Sequence, residues 1–534
     1  MERRLSGLAA STGLAFGPAV MFRAVGEMRR EKGPVASERQ ALADAISASL
    51  EAVAALAESL NGEAADIVGF QVALLDDDAL TEAAYAAIEG GAAADTAWRQ
   101  AMVDEIAGYE ASDDPYFRAR AADIADIRDR VLRQLFDLPE LTSAPPGAII
   151  LAQDLPPSAF LGIDWSRGGG IVLGAGSPTS HVAMLARGRS VPMVVGIGSE
   201  WEAISGTVVV DGVAGLVLTG ASHESIERAR RQANDLGRLR EQAEARKSQP
   251  AVTRDGTPIA VMINVADLDD VAGLPPEACD GIGLTRTEFL VEQTLRDEMA
   301  QFEAYAGLLR WAAGRPVTIR TLDAGGDKPI AGYTLDGETN PFLGLRGIRL
   351  SLRHPDIFRV QLRALARAAA IGPLKIMLPM VTTAQELEQA RALLDAVLVD
   401  LAAEDMPHAV PALGIMVEVP AAAMAIASFD AAFFSIGSND LTQYATAAAR
   451  DGLAVAAYSD VLHPGVLAMI SHVARHGAET GREVSLCGDA GGDPHAIEAL
   501  LRAGIRVVSV SPGLLAIAKD AIRDVDLSVP DEAA

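Results

Sequence analysis

The chain has 534 residues, half of them apolar with few aromatics (4%), two cysteines and a formal net charge of −27. That length provides for about three or four domains, and the Ala, Leu, Ile and Val that dominate its apolar share suit helices and buried parallel strands. The acidic balance excludes a general nucleic-acid binder, because phosphate backbones are held by basic surface. Cys279 and Cys487 cannot make a disulfide framework, which points to a reducing, cytoplasmic setting.

The opening MERRLSGLAASTGLAFGPAVMF sets two arginines before a mildly apolar run. Gly7, Gly13, Gly17 and Pro18 interrupt that run, so it reads as a short strand pair with glycine turns and not as a secretory leader. No run elsewhere has the length and apolarity of a membrane span, and membrane insertion is not expected. From about Pro34 to Pro139 the pattern is helical: Leu42, Ile46, Leu50, Val53, Leu56 and Leu60 lay one apolar stripe. Further helices are expected near 63–76, 79–89, 94–112 and 115–137, broken by Asn61-Gly62, Gly90-Gly91 and Asp113-Asp114-Pro115. This insert is acidic on its polar faces and suits either a scaffold or a docking surface.

At Pro145-Pro146-Gly147 the texture changes to short β-type runs: Ala148–Leu151, Gly170–Gly174, Met193–Ile197, Thr207–Val210 and Leu216–Leu218. They predict a compact α/β domain completed by the N-terminal strands. Between the second and third runs lies Ser177-Pro178-Thr179-Ser180-His181, a turn followed by a helix start. An imidazole there lies near unpaired backbone N–H groups and the positive end of the helix dipole, which tolerate an anionic group. Taken alone, without context, His181 reads first as a solvated residue that merely follows a cap. The charged stretch Ser222–Lys247, ending at Pro250, reads as a connecting helix.

From Thr253 onward eight β-type runs alternate with helical patterns: Ile259–Val265, Gly281–Leu284, Val317–Arg320, Ile376–Met380, Gly414–Val417, Phe433–Gly437, Val484–Leu486 and Arg506–Val510. The helical patterns between them include Leu345–Ala370 and Ala384–Ala402. Such alternation predicts a (β/α)8 barrel, whose chemistry gathers where the strands end. The runs end in Asn264, Arg286, Arg320-Thr321-Leu322-Asp323, Glu418, Asn439-Asp440 and Cys487-Gly488-Asp489. Arg286 and Arg320, with Arg346 or Arg349, supply forks for phosphate or carboxylate. Glu418 and Asp440 are hard oxygen donors of the kind that hold Mg2+ together with substrate oxygens, and no paired Cys/His spacing suggests zinc. Cys487 is either an inert buried thiol or a protonated one able to deliver a proton to an enolate. Cys279 lacks such company.

These residues resemble Enzyme I of the phosphoenolpyruvate-dependent phosphotransferase system, within the wider phosphoenolpyruvate-utilising enzymes. The resemblance rests on Pro178-Thr-Ser-His181 with Met184-Leu-Ala-Arg187, Gly281-Ile-Gly-Leu-Thr-Arg286-Thr-Glu-Phe-Leu, and Ile319-Arg320-Thr-Leu-Asp-Ala-Gly-Gly-Asp-Lys328. It continues in Asn340-Pro-Phe-Leu-Gly-Leu-Arg346, Gly414-Ile-Met-Val-Glu418-Val-Pro, Ser435-Ile-Gly-Ser-Asn439-Asp440-Leu-Thr-Gln-Tyr, Arg450 and Leu486-Cys487-Gly-Asp. It implies a multidomain α/β protein. Residues 1–22 and 145–221 would form a phosphohistidine domain, 23–144 a helical domain docking the carrier protein HPr, 222–252 a linker helix, and 253–534 a barrel that binds phosphoenolpyruvate with Mg2+ and dimerises.

By the same resemblance His181 is the phosphoacceptor and Cys487 the proton donor to pyruvate enolate. Arg286, Arg320 and Arg346 hold the substrate, Arg450 assists, Asn439 contacts its phosphate, and Glu418 and Asp440 bind the metal. Departures from the family pattern stand at Gly176-Ser177, Val182 and Asp489 and bear on rate, not reaction class. An ATP-grasp region, which the nucleotide-using relatives carry, is missing. Two alternatives remain: the nitrogen-regulatory branch with its own carrier, and a sensor that binds phosphoenolpyruvate without turnover.

Overall fold

The computed structural model describes residues 2–529 apart from 23–24, 27, 59–62, 76–77, 111–114, 139–143, 177–179, 190, 289–293, 327–329, 331, 336, 450–454 and 456–457. The chain forms two compact units, Met1–Leu236 and Gly237–Ala534. The boundary falls inside the expected charged helix, α8 (His223–Ala245).

The first unit starts with three strands where a pair was expected: β1 (Arg3–Ser6), β2 (Leu8–Ser11) and β3 (Leu14–Met21). Strands β4 (Ile149–Ala152), β5 (Gly170–Leu173), β6 (Met193–Val195), β7 (Thr207–Asp211) and β8 (Leu216–Thr219) complete an eight-stranded sheet. Its order is β1-β8-β7-β3-β4-β5-β6-β2, with β3 to β6 parallel and both ends antiparallel. Gly7 alone separates β1 from β2, which lie at opposite ends of that order, so the sheet curls back on itself. A Cβ at Gly7 would lie 2.5 Å from the Val195 carbonyl oxygen, which leaves the closure no room for a side chain.

Between β3 and β4 the chain makes five helices: α1 (Val35–Glu58), α2 (Glu63–Leu75), α3 (Asp78–Glu89), α4 (Ala94–Glu110) and α5 (Pro115–Leu135). By length and hydropathy α1 reaches the dimensions of a membrane span over Val35–Ala57, which corrects the expectation that no run does. Its Leu42, Ile46 and Val53 are nevertheless spent on the bundle core with Trp98, Ile124 and Ile127. Alternation along β4 splits the packing as a pleated strand requires. Ile150 and Ala152 join the bundle's cluster, while Ile149 and Leu151 join Trp201, Val208 and Val210 on the other face.

In the second unit a two-residue strand, β9 (Ala251–Val252), precedes the barrel strands β10 (Pro258–Val265), β11 (Ile282–Thr285), β12 (Val317–Arg320) and β13 (Leu374–Leu378). They are followed by β14 (Ala412–Val417), β15 (Phe433–Ile436), β16 (Glu483–Leu486) and β17 (Val507–Val510). Neighbours from β10 to β17 are parallel and β17 pairs back with β10, Ile263 opposite Val510, so eight strands close a barrel. The helical pattern expected at Leu345–Ala370 is two helices, Ile348–Arg353 and Pro355–Ala368. Pro355 lacks the N–H that a helix interior uses and opens the second helix. Outward residues such as Ile263, Ile376, Ile415 and Phe434 pack under the helices, whereas Leu284, Met377, Met416, Phe433 and Cys487 form a small cluster of their own.

Candidate active site

The strand ends of the barrel carry a buried line of alternating charge. Arg320, the last residue of β12, donates through Nη2 to both oxygens of Glu288 at 3.1 and 3.0 Å, and its Nη1 lies 3.1 Å from Asp323 Oδ2. Asp323 also accepts from Arg346, Nε to Oδ1 and Nη2 to Oδ2 at 3.0 Å each. The other side of the Arg346 fork donates to Asp440, Nη1 to Oδ1 and Nη2 to Oδ2 at 3.1 Å. Its Nη1 further reaches the Tyr444 hydroxyl at 3.2 Å, which in turn donates to the Phe342 carbonyl at 2.6 Å. Exposure is 5% or less for Arg320, Glu288, Asp323 and Arg346. Both guanidiniums stay charged, since the surrounding carboxylates outweigh the cost of burial and push their pKa values up.

Backbone geometry makes room for this line. Gly347 has φ 60°, and a Cβ there would lie 3.0 Å from the Met380 side chain and 3.3 Å from Asp323 Oδ1. Met380 itself takes φ 58°, an uncommon conformation for a side-chain-bearing residue. Its N–H donates to Glu418 Oε1 at 2.6 Å. Glu418, directly after β14, is pushed up to about 8, first by burial and then by the neighbouring Asp440 and Asp323 carboxylates. An oxygen-only pair that repels itself in a buried place suits a hard divalent cation, and Glu418 with Asp440 fits Mg2+ on that ground. Among the described residues no set of three or more His, Cys, Asp or Glu side chains is placed to hold a metal ion by itself.

Cys487 directly follows β16 and is 3% exposed. Its Sγ–H points to the Ile436 carbonyl at 3.6 Å, and burial pushes the thiol up to about 11, so it is neutral near pH 7. Asn264 donates to the Cys487 and Ser509 carbonyls at 3.0 and 3.1 Å, tying three strand ends together. Asn439 and Asp489 hold each other reciprocally: the amide donates to Asp489 Oδ2 at 2.9 Å, and the Asp489 N–H donates to Asn439 Oδ1 at 3.1 Å. A Cβ at Gly488 would fall 1.8 Å from Ser438 Oγ, so that junction admits glycine alone. Several buried polar atoms at this rim lack a hydrogen-bond partner among the described residues: Arg320 Nε, Asn264 Oδ1, Ser438 Oγ and Thr442 Oγ1. Unspent donors and acceptors beside paired charges mark a place built for something else to bind.

Of the residues singled out from the sequence, the structure gathers Arg320, Arg346, Glu418, Asp440 and Cys487 at one end of the barrel. Arg286 follows β11 with its side chain exposed, and Arg349 turns away, donating to Thr382 Oγ1 at 2.8 Å. Arg450 lies outside the described residues. So do Ser177, Pro178 and Thr179. His181 opens α7 (His181–Gly188), capped by Ser180 Oγ, which accepts from the Ala183 N–H at 3.3 Å; its side chain is outside what the structure describes. Sequence reading left Glu288 and Asp323 without a role. The available signal was one of charge accounting: two arginines at a barrel mouth need buried counter-charges.

Three family descriptions match successive parts of the chain: an N-terminal domain of PEP-utilising enzymes over 6–120, their mobile domain over 144–215 and their PEP-binding domain over 240–527. Among relatives, a phosphoenolpyruvate-protein phosphotransferase of Geobacillus stearothermophilus is 37% identical, over 96% of this chain and 91% of its own length. One from Haloferax volcanii is 38% identical, over 88% and 84%. A multiphosphoryl transfer protein of Xanthomonas campestris is 36% identical over 98% of this chain, which spans 64% of that longer protein.

Proposed function

The chain belongs to the PEP-utilising enzymes and groups with their phosphoenolpyruvate-protein phosphotransferases; from that premise we propose that it passes the phosphoryl group of phosphoenolpyruvate to its own His181 and then to a histidine of the carrier HPr, releasing pyruvate as the first step of sugar uptake. The observation carrying this reading is the convergence of paired arginines, hard carboxylates and a protonated thiol at one end of a closed barrel.

Arg286, Arg320 and Arg346 hold the substrate's phosphate and carboxylate, with Arg450 assisting and Asn439 touching the phosphate. Mg2+ on Glu418 and Asp440 would supply charge neutralisation for the phosphate oxygens. His181 attacks phosphorus in line with the enolate oxygen, and the positive end of the α7 dipole suits the phosphoimidazole that forms. As the P–O bond breaks, pyruvate enolate leaves. Its methylene carbon takes the proton from Cys487 as the S–H bond breaks, and the thiolate recovers a proton from water. His181 belongs to the first unit and the rim to the second, so the imidazole has to travel, and α8 is the hinge we assign. HPr docks on the acidic helices, the barrel forms a homodimer, and the enzyme works in the cytoplasm.

Labelled phosphoenolpyruvate with Mg2+ tests the reading: label on His181, lost in His181→Ala, is expected. Tight binding without label would replace the enzyme by a sensor. Competition between HPr and a nitrogen-branch carrier for the labelled protein decides the partner, and preference for the latter would move the chain to that branch.

A further inference from the structure

The Arg346 fork has no face left for a substrate. Its Nε, Nη1 and Nη2 are all engaged, on Asp323, Asp440 and Tyr444. Even with Glu418 protonated, the buried Glu288, Asp323 and Asp440 outnumber Arg320 and Arg346, so the buried part of the rim holds no spare positive charge for an anionic substrate. Something has to let go before Arg346 binds an anion. Asp323 is the fixed partner: it is 0% exposed, shared with Arg320, and its own N–H donates to Glu288 at 3.1 Å. Asp440 sits in the first turn of the helix Ser438–Thr446, next to Glu418. Among the described residues, Arg346 donates to both oxygens of the Asp440 carboxylate.

We propose that Arg346 is a built-in placeholder for the divalent cation: it occupies Asp440 until the cation arrives at Asp440 and Glu418, and that exchange frees one side of the guanidinium fork for the substrate's anionic group. Binding is therefore ordered, cation before phosphoenolpyruvate. Asp323 acts as a positioning residue that keeps the released guanidinium in place. The inference rests on the metal reading of Glu418 and Asp440 and adds the competition between the cation and this chain's own arginine.

The test measures binding of Mn2+ alone, by electron paramagnetic resonance, with no substrate present. Arg346→Gln should bind Mn2+ about tenfold tighter than the parent, because a hydrogen-bonded competitor has been removed. Arg320→Gln removes an equal charge from the same rim without touching Asp440 and should tighten binding by at most about threefold. Equal changes at the two arginines, or none at Arg346, overturn the placeholder and leave the metal reading intact. Asp440→Asn should weaken Mn2+ at least about tenfold; unchanged binding there overturns both. Should Arg346→Gln fail to fold, the unaltered chain still decides: in nitrogen-15 spectra of its arginine side chains, Mg2+ alone should move the Arg346 Nε–H signal, and an unmoved signal overturns the proposal.

Discussion

The two ends of the barrel bury charge in opposite ways. At the end where β9 and the chain from α8 arrive, Lys519 is 2% exposed, and its ammonium donates to the carbonyls of Lys247, Gln249 and Ala278 at 2.8, 3.3 and 2.6 Å. Three donors meet three neutral backbone acceptors, and nothing is left over. Nearby Arg523 donates to the Gln249 carbonyl at 2.8 Å, so the final helix, Leu515–Asp524, ties down the segment after α8. At the opposite end charges are set against charges, with Arg320 Nε, Asn264 Oδ1 and Ser438 Oγ still unpartnered. A saturated cation holds a fold together, while a strained and unsaturated set of ions is able to exchange partners. Burial alone does not separate these roles; the identity of the counter-groups does.

The largest effect should come from Asp323→Ala, which strips both arginines of a shared carboxylate. Removing one partner from a buried ionic set costs about 3–5 kcal/mol, so thermal melts should show a weakened barrel and phosphoenolpyruvate turnover should fall beyond measurement. A fully active variant would place the rim with the structural end. Cys487→Ala should slow pyruvate formation by about 10²–10⁴-fold, the range for a lost general acid, while substrate binding and melting change little. Because the thiol is pushed up to about 11, the parent's rate should show no loss of this proton below about pH 10.

Lys519→Met tests the other end. It leaves three carbonyls short of a donor and should cost about 1–3 kcal/mol of stability, with the KM for phosphoenolpyruvate unmoved. A changed KM would contradict the division drawn here.

The smallest effect concerns a third buried charge, in the first unit. Asp126 accepts from Gln71 at 2.9 Å and from Ser158, which itself accepts from Arg130 at 3.1 Å, so the Arg130 guanidinium partly offsets the cost of burying this carboxyl. Burial raises its pKa above the ordinary 3.8. The folded state then holds more protons than the unfolded one, and this group's contribution is full below pH 3.8 and falls as the pH rises through the folded value. Asp126→Asn removes that slope, so melts taken between about pH 4 and 7 should be flatter than the parent's. A parallel pair of curves would show that Asp126 is paired more strongly than its neighbours suggest.

Much of the architecture was legible locally. All eight barrel strands fall on runs read from alternation and composition, and α2 to α5 fall on stretches read from helical periodicity, because both patterns are set by neighbours in sequence. The N-terminal pair was misread because Gly7 and Gly13 make sense only once β1 and β2 are seen closing opposite ends of one sheet. The rim's residue types were equally visible, each at a strand end, and Arg349 competed with Arg346 until packing separated them.

The amino-acid order by itself determined the elements, the barrel and the list of reactive groups, since spacing and strand-end position are local properties. Only the tertiary structure decided which charges meet. Glu288, Arg320, Asp323, Arg346 and Asp440 lie on four separate stretches of chain, and Coulomb energy in a buried place depends on distances that strand closure sets.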